Sequence, residues 1–221
     1  MIAEDVPLEI DADLQSCFPG LYALAFRVKN LDFGLGEAGV EELIKRVTEE
    51  IRLRYTLEGL KDVPVFRAYR DFFWKIGIDP TKMRPSSEAL VRRVLMGREF
   101  PRINLLVDLY NLASMKTGIT MAAYDDAKIE GRLKLSWGAA GERFRGIGMD
   151  KEIFLKGNEV VLRDDSSVLS IYPYRDSDHS KTDNNTRSAT IMACGVPGID
   201  IYLLREAKET LIEYLSLVLD R

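Results

Sequence analysis

Apolar residues recur at helical spacing in some stretches of the chain and crowd into short runs in others, and the two kinds of stretch are unevenly distributed. Val40, Leu43, Ile44, Val47 and Ile51 mark one face of a helix over about residues 40–55. Phe66, Tyr69, Phe73 and Ile76 form a second stripe, ended by Gly77 and Pro80. A third helix runs from Ser87 to Met96 with Ser86 available as its cap. A last helix, Leu204 to Leu219, gathers Leu204, Ala207, Leu211, Tyr214, Leu215 and Val218 on one side. Two strands come early, near Val6 to Ile10 and Leu21 to Val28. After Asp126, strands near Leu133–Trp137, Ile153–Leu155, Val160–Arg163, Val168–Tyr172 and Ala189–Ala193 are separated by Gly, Asp and Ser turns. Helices early and strands late imply an α+β fold: a mixed, sandwich-like sheet core with flanking helices, in one unit spanning residues 1–221.

The stretch Phe100 to Asp125 sets polar residues into an apolar helical frame. Ile103, Leu106, Val107, Tyr110, Ala113 and Met115 fall near one buried face, with Pro101 and Arg102 opening the helix and Gly118 ending it. Asn104, Asp108 and Asn111 are spaced by four and three, which brings them to one side of the helix beside the apolar stripe. Such a row can line a pocket, or it can bond neighbouring loops.

A second polar concentration, Tyr174 to Thr186, lies between two apolar strands, as a loop that closes over a ligand would. Arg175 suits a carboxylate or phosphate and Asp176 an amine, with Ser177, His179 and Thr186 beside them. His179 is the single histidine, so a Ser-His-Asp triad or multi-histidine metal site must use it or be excluded. Asp176, Asp178 and Asp183 lack calcium-loop spacing, and no metal or cofactor is expected. Gly34, Gly36 and Gly39 spell G-x-G-x-x-G, but no strand ends at the first glycine, and Glu37, Glu41 and Glu42 crowd the helix start where a pyrophosphate needs positive potential. The interleaved aromatic and basic residues from Phe66 to Lys75 fit core packing better than base stacking, because their aromatic positions keep helical period.

The motifs of residues 85–195 resemble the editing region, the B3/B4 domain, of the phenylalanyl-tRNA synthetase β subunit. Ile103, Asn104, Val107, Asp108 and Asn111 follow its R-x-I-N-x-V-V-D-x-x-N pattern, and Ala123, Tyr124 and Asp125 close its P-L-H-A-F-D segment. Gly131, Leu133 and Leu135 resemble its G-x-I-x-V strand, and Gly141 and Glu142 its G-E turn. Asp178, His179, Ser180 and Thr186 match its E-H-S-x5-T spacing. The resemblance implies a three-layer domain that recognises the aminoacylated acceptor end of a tRNA. Together with the polar loop, the resemblance leaves Asn111, Asp176 and His179 as catalytic candidates and Asn104, Asp108, Tyr124, Arg175, Ser177 and Thr186 as substrate-binding ones. Two departures bear on mechanism: Ala122 stands where the family has its editing histidine, and Met192 where it has the glutamate that reads a tyrosine hydroxyl. The pocket-wall loop becomes Tyr172, Pro173, Tyr174, Arg175 and Asp176. A different acyl group, or no hydrolysis, is implied, with activation left to Asp176, His179 or the tRNA ribose hydroxyl.

Composition is ordinary for a globular protein, at 46% hydrophobic and 30% charged. Cys17 and Cys194 form no C-x-x-C pair, which suits a reducing cytoplasm. The acidic start has no secretory pattern, and no apolar run approaches the length of a membrane span. The net charge of −4 is uneven: from Lys45 to Arg102 there are 14 Lys or Arg against 8 Asp or Glu. Within that stretch Arg92, Arg93, Arg98 and Arg102, with Arg84, flank the pocket helix and can meet phosphates of a tRNA. A deacylase of misacylated tRNA, a non-catalytic tRNA-binding module and a binder of free amino acids are the readings this pattern admits.

Overall fold

Consecutive strands at the start of the chain belong to different sheets in the computed structural model, which describes residues 2–31 and 37–219. In chain order the elements are β1 (Ile2–Val6), β2 (Leu8–Ile10), α1 (Ala12–Cys17), β3 (Leu24–Lys29), α2 (Glu37–Arg54), α3 (Pro64–Lys75), α4 (Ser86–Leu95), α5 (Leu105–Thr117), β4 (Met121–Asp125), β5 (Leu133–Trp137), β6 (Arg143–Phe144), β7 (Ile153–Phe154), β8 (Val160–Arg163), β9 (Val168–Ile171), β10 (Arg175–Asp176), β11 (Ser188–Ala193) and α6 (Ile201–Leu219). A four-stranded sheet has the order β1-β3-β11-β4, antiparallel throughout. A five-stranded sheet has the order β10-β9-β8-β5-β2, with β2 parallel to β5. The hairpin β6–β7 stands apart.

The four-stranded sheet is the middle of three layers. Helices α5 and α6 pack on one of its faces. On the other, the Tyr124 hydroxyl reaches Ser170 of β9 at 3.1 Å, and the Tyr172 hydroxyl donates to the Gly195 carbonyl at 2.6 Å. Strands covered on both faces lose the in-out alternation of a half-buried sheet. Accordingly all five residues of β4 are buried, as are Ala189 to Ala193 of β11. One apolar cluster runs through helices and both sheets; a smaller one, of Phe144, Leu155, Val161, Val168 and Ile171, lies under the hairpin.

The α+β arrangement is the expected one, and α2, α3, α4 and α6 begin and end within a few residues of their predicted bounds. Several expectations need correction. The strand expected from Val6 to Ile10 is two strands broken at Pro7, which has no N–H for a ladder. The second strand starts at Leu24 rather than Leu21, and Ser86 is the first residue of α4, after Pro85. Helix α5 starts at Leu105, not near Pro101, because the Asn104 side chain caps it by accepting from the Val107 N–H at 3.0 Å. Ile103 therefore precedes the helix and is 68% exposed instead of facing the core. Gly118 ends α5 as expected, at φ +79, with its N–H on the Ser114 carbonyl. Of the glycine motif, Gly34 and Gly36 lie outside the described residues and Gly39 lies within α2. No helix among the described residues is long and apolar enough to cross a membrane.

Candidate functional site

A cavity of about 120 Å³ opens where α5, β4 and the turn between β9 and β10 meet. Helix α5 contributes Tyr110 and Asn111, the connection after it Thr120, and strand β4 Ala122 and Tyr124. Ser170, Pro173, Tyr174 and Asp176 close the opposite side, with Ser86 and Cys194 at the margins. The two segments that carry Asn111 and Asp176 are far apart in sequence and converge here because β4 and β9 lie in facing sheets.

Asp176 is the sole formal charge among the described residues that line this cavity. Its Oδ1 accepts from the Tyr124 hydroxyl at 3.0 Å, while its Oδ2 has no hydrogen-bond partner among the described residues. Burial pushes its pKa up to about 6; the Tyr124 hydrogen bond and the Arg175 charge pull the other way. Burial, reinforced by the Asp176 charge, also raises the phenols of Tyr110 and Tyr124 and the thiol of Cys194, so these three stay protonated at neutral pH. A protonated thiol is a poor nucleophile, which leaves Cys194 as a wall residue. The chemistry on offer is one carboxylate that titrates near pH 6, one amide that can donate or accept, and several neutral hydroxyls.

Of the residues singled out in the sequence, Asn111, Tyr124 and Asp176 are brought together. The others lie elsewhere. Asn104 is spent on capping α5. Asp108, 1% exposed, accepts from the Ile103 N–H at 2.8 Å and from Arg102 Nε at 2.6 Å, so it organises the turn before α5. Arg175 turns away: its guanidinium donates to the Ile147 carbonyl at 3.0 Å and sits 5.1 Å from the centre of the Tyr174 ring. Gly146 makes room for it, since a Cβ there would lie 2.4 Å from Arg175 Cγ. Ser177 Oγ accepts the His179 backbone N–H, and His179 is exposed in a separate shallow depression with Arg145 and Asp178. Thr186 donates to Asp125 Oδ2 at 2.8 Å and pins the 177–187 loop to β4.

The basic flank divides as well. Arg102 pairs with Asp108 and Glu41, and Arg93 donates to the Glu99 carbonyl. Arg92 and Arg98 form no ion pair among the described residues. Sequence reasoning missed Thr120, Ser170 and Cys194 as lining residues. For Ser170 a signal existed: a hydroxyl inside the apolar run Val168–Tyr172 needs a buried partner, and it finds Tyr124.

Three layers, with a polar cavity where α5, β4 and the β9–β10 turn meet, define the class of this domain. Residues 68–214 match the B3/4 domain model, and the chain belongs to that family. Over 95 residues, 43% of this chain, it is 35% identical to the phenylalanine--tRNA ligase beta subunit of Nocardia farcinica (strain IFM 10152), and it covers 11% of that subunit's length. It is also similar to the crystal structure of an N-terminal fragment of the phenylalanyl-tRNA synthetase β subunit from Pyrococcus horikoshii, with 14% identity, a TM-score of 0.45, and coverage of 88% of this chain and 74% of that one.

Proposed function

We propose that this domain recognises the aminoacylated end of a tRNA and hydrolyses the ester of a misacylated one. The observation that carries the reading is the shared cavity of Asn111 and Asp176, built from two distant segments of a B3/4 domain. Its size supports an acyl group as the occupant. A cavity of about 150 Å³ holds benzene, so one of about 120 Å³ takes a small acyl moiety and excludes a nucleotide base with its sugar. In this reading the Asn111 amide donates to the ester carbonyl oxygen as water adds to the carbonyl carbon. The bond to the ribose oxygen then breaks, and that oxygen takes the proton. With Ala122 in the wall and His179 outside the cavity, the vicinal ribose hydroxyl of the tRNA is the group that orients the water. Arg92 and Arg98, free of ion pairs among the described residues, are the arginines available for phosphates.

A panel of tRNAs carrying different amino acids, assayed for release of the amino acid, tests this reading. Asn111→Ala is expected to slow release of the preferred amino acid about 100-fold, the magnitude of losing one oxyanion donor. Equal release by wild type and variant removes Asn111 from the reaction. A second reading, recognition without hydrolysis, is favoured by Ala122, which brings no titratable group to the cavity. Salt-sensitive binding of aminoacyl-tRNA with no release of any amino acid would select it.

A further inference from the structure

The cavity has a feature that ester hydrolysis alone does not require. It holds one carboxylate oxygen with no hydrogen-bond partner among the described residues, and no cation lines the cavity with it. The nearest guanidinium, Arg175, is committed to the Ile147 carbonyl and the Tyr174 ring. The remaining titratable groups on the elements around Asp176 are Tyr124 from β4, Tyr110 from α5, Tyr174 from the β9–β10 turn and Cys194 after β11, and none of them is a cation. Asp176 is half-buried, and the one guanidinium whose charge it feels is bonded elsewhere, so its unpartnered oxygen is open to a charge-assisted bond from an arriving cation.

From this arrangement we infer that the cavity is an ammonium pocket, in which Asp176 Oδ2 and the Asn111 amide oxygen hold the free α-amino group of a small aminoacyl moiety. An ammonium carries three N–H donors and no acceptor. The cavity meets it with the carboxylate and the Asn111 amide, beside the hydroxyls of Ser170 and Thr120, which are already bonded to Tyr124 and Ser87 and keep a lone pair each. A carboxylate or phosphate is repelled by Asp176, and a divalent metal would find a single carboxylate here and no cluster of three His, Cys, Asp or Glu among the described residues. Volume limits the side chain. After the ammonium and the carbonyl are seated, about 120 Å³ leaves space for a methyl or hydroxymethyl group and not for a phenyl ring. Ala122, which lines the cavity, and Met192, paired with it on β11, bring no polar partner for a phenolic hydroxyl. The substrate class is thus a small α-amino ester with an unblocked amine. N-acylated esters are excluded because they bring no charge and add bulk at Asp176.

The inference rests on the reading of this cavity as the acyl site, but its test uses no tRNA. Alanine methyl ester, N-acetylalanine methyl ester and phenylalanine methyl ester are titrated into the intact chain by NMR. Alanine methyl ester is expected to bind at least about tenfold more tightly than the other two, since a charge-assisted bond is lost in one and the fit in the other. The isosteric Asp176→Asn should lower alanine methyl ester affinity by at least about tenfold. Affinity should fall below pH about 6 as Asp176 gains its proton, and above about 8 as the amine loses its own. Equal binding of the N-acetylated ester, an unaffected Asp176→Asn, or no binding of any ester overturns the ammonium pocket. The tRNA assay is read separately. Ester selectivity without release from tRNA leaves the ammonium pocket and removes the deacylase; release without ester selectivity does the reverse.

Discussion

The Tyr124 hydroxyl, on the edge strand of the four-stranded sheet, donates to the Asp176 carboxylate on the edge strand of the five-stranded sheet, 3.0 Å away. This bond spans the gap between the sheets and holds the cavity's charged group in place. Tyr124→Phe removes the bond that pulls Asp176 downward, so its carboxyl should titrate above about 6. Stability should fall by about 1–3 kcal/mol, the cost of leaving a buried acceptor unmet. Carboxyl carbon NMR titration and urea unfolding check both effects; an unmoved titration means the bond is absent in solution.

Asp176 also sets a pH dependence. Its folded pKa of about 6 lies above its ordinary value of 3.8, so the native state binds the proton more tightly than the unfolded chain. That contribution to stability is present below 3.8 and is lost as pH rises through about 6. Asp176→Asn keeps a neutral group at every pH. Relative to wild type, it should gain about 1–3 kcal/mol between pH 4 and pH 7. Melting curves of both proteins across that interval measure the difference, and parallel curves would show that Asp176 is well solvated.

Asp108 and Asn111, one turn apart on α5, should separate by phenotype. Asp108 is buried under Arg102 and the Ile103 N–H, so Asp108→Ala should cost about 2–4 kcal/mol by stranding both donors. Asn111→Ala should unfold near the wild-type midpoint and lose function instead. Denaturant midpoints measured beside amino-acid release distinguish the two roles.

At Gly118 the backbone sits at φ +79, and an added Cβ would approach Val65 Cγ1 to 2.6 Å. Gly118→Ala pays for the left-handed conformation and displaces Val65, with an expected loss of about 2 kcal/mol or more. Thermal unfolding gives the value; a neutral result would mean the chain relaxes at this turn.

Helices α2, α3, α4 and α6 were readable because each buries one stripe against a core. Strand β4 was not, since it is covered on both faces and its sequence, Met121 to Asp125, offers two alanines and no β-branched residue. Helix α1 escaped notice because Leu14 is its single buried side chain among six residues. At the site, α5 was expected to meet the loop from Arg175 to Thr186, of which Asp176 alone lines the cavity; Asp108 took the alternative of bonding a neighbouring turn, while the commitments of Asn104, Arg175 and Thr186 were not foreseen. Each is fixed by a partner distant in space or by a local cap, and spacing along the chain cannot reveal which polar residues are already occupied.

Residues 2–10 supply one outer strand to each large sheet, β1 beside β3 and β2 beside β5. Deleting them would bare two ladders at once, and unpaired backbone of that kind invites another molecule to complete it. Handling of this protein in the laboratory follows from that geometry. Removing residues 2–10 should provoke self-association, seen as an apparent mass that rises with concentration.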